Sequence, residues 1–124
     1  MGLIYKDLVV RGSHGRMKLR VLLDSGASSS FIRSDIAQAL GEVARLPRAF
    51  RVIFGEGRTR VSEQIPLEIA MEGESVLATP YLLPKLSEEL ILGADFLQRY
   101  KVVLDFERDT VRFSDRSALR IQLV

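Results

Sequence analysis

A chain of 124 residues with 47% hydrophobic side chains is the size of one ordinary domain and can bury a sizeable core. Its net charge is only +2, with lysines and arginines scattered among acids, which argues against nucleic acid as an obligatory partner. The absence of cysteine excludes disulfides, thiol nucleophiles and thiolate metal sites together.

No apolar run approaches the roughly 18 residues of a membrane span, and the start, Met1 to Asp7, lacks a basic segment followed by a long apolar one. The expectation is a soluble, cytoplasmic protein without a membrane partner. Met1-Gly2 invites myristoylation, but Lys6 stands where Ser or Thr would be needed. With the sequence starting at Met1, no long inhibitory segment is expected ahead of the candidate site.

Period-two patterning dominates the chain. Leu8-Val9-Val10 reads as a strand, and Gly12-Ser13-His14-Gly15 as the turn into a second one. There Met17, Leu19, Val21 and Leu23 alternate with Arg16, Lys18 and Arg20. His14 is the one histidine, and a place in a glycine-flanked turn makes it a solvated loop residue. After Asp24-Ser25-Gly26, the serines at 28–30 lead into Phe31-Ile32. Ser34 is then expected to cap a short helix over Asp35 to Leu40, with Ile36 and Leu40 on the core face and Gly41 at its end.

Phe50 to Val61 reads as two short strands around Gly55-Glu56-Gly57, a tip able to accept positive φ and to flex. Ile65, Leu67, Ile69 and Met71 alternate cleanly. A turn at Glu72-Gly73-Glu74 follows, and Val76 and Ala78 return as the partner strand up to Pro80. Pro66 places its strand at a sheet edge or opens it. Leu90-Ile91-Leu92-Gly93 is a buried apolar run, and Ala94 to Tyr100 has the spacing of a two-turn helix. Val102 to Phe106 and Thr110 to Phe113 form a last hairpin around Glu107-Arg108-Asp109. Leu119, Ile121 and Leu123 alternate as a terminal strand, which is a liability unless something pairs with it. No repeat or linker interrupts this pattern of one mostly-β domain.

The chemistry-bearing stretch is Val21-Leu22-Leu23-Asp24-Ser25-Gly26-Ala27-Ser28. An isolated Asp-Ser-Gly is most often a plain turn, because Asp and Ser bond their own backbone and Gly supplies the conformational freedom. Here the triplet is bracketed by apolar segments, so its carboxylate must be hydrogen-bonded, paired or protonated. If two such loops met across a two-fold axis, the two Asp24 carboxylates would share one proton and offer an acid and a base at once. One would deprotonate a water while the other held a peptide carbonyl. A metal site and a serine nucleophile are weaker readings, since no histidine lies near in sequence.

These residues resemble the retropepsin-like aspartic proteases, single-domain enzymes that include the retroviral proteases. Three motifs carry the resemblance in order: Leu22-Leu23-Asp24-Ser25-Gly26-Ala27, the glycine-containing segment around Gly55-Glu56-Gly57, and Ile91-Leu92-Gly93 before the helix from Ala94. It covers roughly residues 8–113 of a single domain spanning 1–124. It implies a closed β-barrel-like fold with one or two short helices, an obligate homodimer, and endopeptidase activity on extended, apolar-flanked peptides without a metal or cofactor. Asp24 takes the catalytic place, Ser25 the bracing hydroxyl place, and Gly26 and Ala27 the rest of the loop. Ser28, Ile53, Phe54, Gly55, Glu56 and Gly57 fall at substrate-binding and flap positions, and Ile91, Leu92 and Gly93 form the floor. Two positions depart from the viral pattern: Ser28 and Ala94 stand where an aspartate and an arginine form an ion pair. The terminal segment 117–124 is expected to contribute to the dimer interface.

Two other readings compete. A non-catalytic module of the same fold would bind an extended peptide or a partner chain in the cleft. A nucleic-acid binder would use Arg16, Lys18, Arg20, Arg58 and Arg60, a weaker idea given the balanced charge.

Overall fold

In the computed structural model, residues 2–54 and 57–119 are described. The first hairpin pairs β1 (Leu3–Gly12) with β2 (Gly15–Asp24) through a two-residue turn at Ser13-His14. Both strands are longer than the alternation predicts, because β1 begins at Leu3 and runs the whole length of β2. On β2, Leu19, Val21 and Leu23 are buried together with Leu22. Burial on both faces follows from its central place between β1 and β9 (Leu90–Leu92). Each such aliphatic side chain contributes about 1.5–3 kcal/mol.

A short strand β3 (Phe31–Arg33) leads into α1 (Ser34–Leu40), which buries Ile36, Ala37 and Leu40. Ser34 does not cap this helix. It is already the first helical residue, and Arg33 in the capping place makes no side-chain cap but pairs with Asp35 at 2.7 Å. Gly41 does end the helix, though in an extended conformation with φ 176°. A side chain there would meet the Ser13 amide nitrogen and hydroxyl at 2.7 Å, so close packing against the first hairpin turn is what requires glycine.

The longest hairpin pairs β4 (Ala44–Phe54) with β5 (Gly57–Gln64), with a register irregularity between Arg45 and Phe50. Its expected mobile tip, residues 55 and 56, lies outside the described residues. Next come β6 (Leu67–Met71) and β7 (Glu74–Ala78), joined by Glu72 and Gly73 at φ 51° and 78°. Two consecutive positive φ values match the twist of a tight hairpin. β6 pairs with both β1 and β7 and is not an edge, so Pro66 stands just ahead of the strand, where its missing N–H is harmless.

A second short strand, β8 (Tyr81–Leu83), pairs in parallel with β3, and β9 pairs in parallel with β2. α2 (Ala94–Arg99) follows β9, with the Phe96 and Tyr100 rings 5.0 Å apart. The last hairpin, β10 (Val102–Asp105) with β11 (Thr110–Phe113), forms its own two-stranded sheet.

The main sheet has nine strands in the order β4-β5-β8-β3-β9-β2-β1-β6-β7. Among the described residues its two ends, β4 and β7, do not pair, so the mostly-β fold with two helices is present but the expected barrel closure is not seen. The terminal segment also departs from expectation: residues Arg116–Leu119 form a 3-10 helix, and Leu119 is buried in the main core. One apolar side chain inserted into the core needs a turn there rather than an alternating strand. Residues 120–124 lie outside the described set.

Candidate functional site

Three strands converge on Asp24. It is the last residue of β2, opposite Leu3 of β1. The parallel register Leu22↔Ile91 and Leu23↔Leu92 brings Gly93 alongside it. The aliphatic run that drives β2 into the sheet centre therefore delivers a carboxylate to the sheet's end, where the chain must turn.

The loop is fixed by its own backbone. The Gly26 N–H donates to Asp24 Oδ1 at 2.8 Å, and the Ala27 N–H donates to the Asp24 carbonyl at 3.2 Å. Oδ2 has no hydrogen-bond donor among the described residues. Ser25 is tied to the start of the chain: its hydroxyl donates to the Gly2 carbonyl and accepts from the Gly2 N–H, each at 3.1 Å, and the Ser25 N–H also donates to that carbonyl at 3.1 Å. Asp24 is half-buried, whereas Ser25, Gly26 and Ser28 are exposed. The carboxylate is thus held in place with one oxygen available.

Beneath the loop, Gly93 packs against backbone. A Cβ at this position would come within 2.4 Å of the Ser29 carbonyl oxygen and 2.6 Å of that of Ala27. The Ala94 N–H donates to the same Ala27 carbonyl at 2.7 Å. Ile91 and Leu92 are buried beside it. Ser28 and Ala94, the two departures from the viral ion pair, are joined by no ion pair; the loop-to-helix tie lies next door.

That tie is Ser30 with Asp95, which the sequence patterning passed over. Ser30 is a polar residue buried to 2% exposure, the one such among the described residues. Its hydroxyl accepts the Gly93 N–H at 3.0 Å and donates to Asp95 Oδ1 at 2.8 Å. Its own N–H donates to Asp95 Oδ2 at 3.1 Å, and the Phe96 N–H donates to Oδ1 at 2.8 Å. One carboxylate at the start of α2 therefore clamps the exit of the Asp24 loop. The available signal was a serine directly ahead of the buried pair Phe31-Ile32, together with an acid in the first turn of the helix after Gly93.

The β4–β5 hairpin lies at the far end of the sheet, with Val52 and Val61 in a second core cluster beside Phe31, Tyr81 and Leu83. Gly57 pairs with Phe54 at its outer end. Ile53 is 69% exposed and alternates away from Val52, so it does not join that cluster. Gly55 and Glu56 lie outside the described residues. Between this hairpin and the β8–β9 connection is a cavity of about 450 Å³ lined by Thr59, Leu83, Pro84, Lys85, Leu86 and Ser87. Of these, the connection 84–87 had no motif to announce it. A second hollow of about 480 Å³ is lined by Ser25 of the loop and by Leu97, Val102, Val103, Leu104 and Phe106 among others. Beside it Phe106 is 53% exposed, and Leu3, opposite Asp24 in register, is 54% exposed.

Among the described residues no cluster of His, Cys, Asp or Glu could hold a metal. His14 sits in its turn, 3.8 Å from Glu42 and half exposed. Of the arginines in the nucleic-acid reading, Arg20 stacks over the Tyr5 ring at 4.3 Å, whereas Arg58 and Arg60 share one face of β5.

Comparison with known proteins bears on this geometry. A family model described as retroviral aspartyl protease matches residues 8–118. DNA damage-inducible protein 1 of Neurospora crassa is 24% identical over 111 residues, covering 88% of this chain but only 24% of that protein. The chain therefore spans about a quarter of that curated relative's length. Among solved structures, the retroviral protease-like domain of Ddi1 from Leishmania major superposes with a TM-score of 0.70 at 20% identity, covering 93% of this chain and 90% of that one. EIAV protease, solved with an inhibitor, gives 0.53 at 24% identity, covering 76% and 84%. At these identities the two structures establish the retropepsin-like fold.

Proposed function

Since the chain belongs to the retroviral aspartyl protease family, we propose that it is an aspartic endopeptidase whose site is completed by a second copy of itself. The observation that carries this reading is Asp24: a carboxylate held by the Gly26 N–H at the end of a buried strand, with its other oxygen available and no second carboxylate against it among the described residues. A lone carboxylate cannot be acid and base in the same step. Two Asp24 side chains meeting across a two-fold axis can, because like charges in contact share one proton.

In that dimer the ionised Asp24 takes a proton from a water lodged between the pair. The protonated one hydrogen-bonds the carbonyl of the scissile peptide, and the water oxygen adds to the carbonyl carbon. The resulting tetrahedral intermediate collapses as the nitrogen is protonated and the C–N bond breaks. No covalent enzyme adduct forms. The exposed apolar side chains beside the loop, Leu3 and Phe106, support a dimer, since burying them against a second copy removes apolar surface from water. The β4–β5 hairpin would cover the bound peptide as an added strand. The hollow at Thr59 and Leu83 to Ser87 would receive an apolar side chain flanking the cleaved bond.

The test is cleavage of a diverse peptide library by the purified protein between roughly pH 4 and 7, with Asp24→Asn alongside. Cleavage by the wild type and none by the variant supports the reading. A dimer that binds extended peptides without cutting any would make the chain a non-catalytic peptide-binding module instead.

A further inference from the structure

The outer face of the β4–β5 hairpin carries charge that neither the catalytic reading nor the fold accounts for. Val61 is fully buried and Val52 packs with the second cluster, so alternation turns Arg51 and Ile53 of β4, and Arg58 and Arg60 of β5, to the opposite face. All four are exposed. The register sets Arg51 directly opposite Arg60 and Ile53 opposite Arg58. Like charges directly opposed destabilise a sheet, whereas the base of the same hairpin shows the favourable alternative, Arg45 opposite Glu63.

Among the described residues, none of the ion pairs involves Arg48, Arg51, Arg58 or Arg60. Three arginines elsewhere are paired, Arg33 with Asp35, Arg108 with Asp105 and Arg116 with Glu74. Arg11, Arg16, Arg20, Arg45, Arg99 and Arg112 are in no ion pair among the described residues either, so lack of a partner alone does not mark this face. A second opposed pair, Arg11 with Arg16, ends the β1–β2 hairpin. What sets the β4–β5 face apart is a groove of about 280 Å³ lined by Arg48, Ala49, Phe50, Arg51 and Arg60, next to an isoleucine that is 69% exposed. It is also the open margin of the sheet, since β4 pairs only with β5 and its outer backbone edge has no strand partner among the described residues.

From these features we propose that the outward face and free edge of β4 form a docking surface for an extended acidic segment of a partner protein. A strand added to β4 spaces its same-face side chains about 7 Å apart, the spacing of Arg51 and Ile53. An acidic residue followed two positions later by an apolar one therefore sets a carboxylate beside the arginines and a hydrocarbon on Ile53. Guanidinium groups suit this role because each can grip a carboxylate with two parallel N–H bonds. An edge strand supplies main-chain pairing that a peptide can use and a nucleic acid cannot. Ile53 is also one of the flap positions, so this surface adjoins the proposed substrate site, but docking on it does not depend on cleavage.

The probe is a fluorescein-labelled peptide repeating Glu-Thr-Val-Thr, read by anisotropy against the full chain at low and moderate salt, with its glutamine-for-glutamate counterpart. Saturable binding is expected, falling with salt and weaker by about tenfold or more for the glutamine peptide and for Arg51→Glu with Arg60→Glu. Arg11→Glu with Arg16→Glu changes the net charge equally and should leave binding within about twofold. Arg51→Gln with Arg60→Gln relieves the repulsion and should unfold no lower than wild type, so its reduced binding reports the surface rather than misfolding. The proposal is overturned if the peptide does not bind saturably, if the Arg11 and Arg16 variant loses as much, or if single-stranded DNA binds through the same arginines more tightly than the peptide.

Discussion

Replacing Ser30 by alanine should be among the most damaging changes available in this chain for the volume removed. The hydroxyl accepts the buried Gly93 N–H at 3.0 Å and donates to Asp95 at 2.8 Å, in a side chain only 2% exposed. Its loss leaves the Gly93 amide without an acceptor where water does not reach, at a cost of about 1–3 kcal/mol, and removes a charge-assisted bond worth about 1 kcal/mol more. The sum, about 2–4 kcal/mol, lies at the upper end of the range for single substitutions. For a domain of this size that corresponds to a fall in Tm of roughly 6–16 °C. Urea unfolding at matched protein concentration is the assay, since any dimer couples stability to concentration. In a cycle with Asp95→Ala, the two changes should be less than additive by about 1 kcal/mol or more, because they break the same tie. A Ser30→Ala protein within about 0.5 kcal/mol of wild type would refute the claim that this clamp holds the Asp24 loop.

Other expectations follow from the same geometry. Gly93→Ala should destabilise by about 2 kcal/mol or more and reduce any peptidase activity, since its Cβ would strike two backbone carbonyls that cannot retreat; unfolding and library cleavage read both. Phe106→Ser, at an exposed site beside the loop, should leave the monomer folded but shift sedimentation toward monomer, and an unchanged dimer would place the interface elsewhere. The Tyr5 hydroxyl, donating to Glu88 at 2.7 Å, is pushed above the usual tyrosine range, first by that hydrogen bond and next by burial. Its folded pKa being raised, its contribution to stability is present below the unfolded tyrosine pKa and is lost as pH rises through the folded value. An ultraviolet titration compared with that of Tyr5→Phe should show Tyr5 ionising late, and Glu88→Gln should bring it earlier.

The parts of this fold that were legible in the sequence are those where a single strand decides its own pattern. The alternation on β2 and on β6 with β7 needs only one wet and one dry face, and Asp24 stands out because it interrupts such a run. What was not legible depends on partners distant in the chain. β3 and β8 are three residues each, too short to show a period, and form because Phe31 to Arg33 lies parallel to Tyr81 to Leu83. Gly41 ends α1 as its sequence position suggests, but what selects glycine there is the approach of Ser13, which no local pattern shows. The serine expected to cap α1 lost to an Arg33–Asp35 pair one residue on either side. Leu119 belonged to an alternating series by sequence and to a 3-10 turn in the structure, since one buried side chain does not require a strand. In the site, the Asp24 loop was readable as a motif. Ser30 and Asp95 were not, because their meaning lies in a contact between segments that only the β2–β9 pairing brings together.

The central claim, that one working site needs two Asp24 carboxylates from two chains, is tested most directly by mixing wild-type protein with Asp24→Asn in varied ratio under conditions that allow subunits to exchange. Peptide cleavage per total protein is then followed against the wild-type fraction. If each site takes one carboxylate from each chain, activity should fall as the square of that fraction, every mixed dimer being inactive. A fall in direct proportion, each wild-type chain keeping its activity whatever its neighbour, would contradict the account.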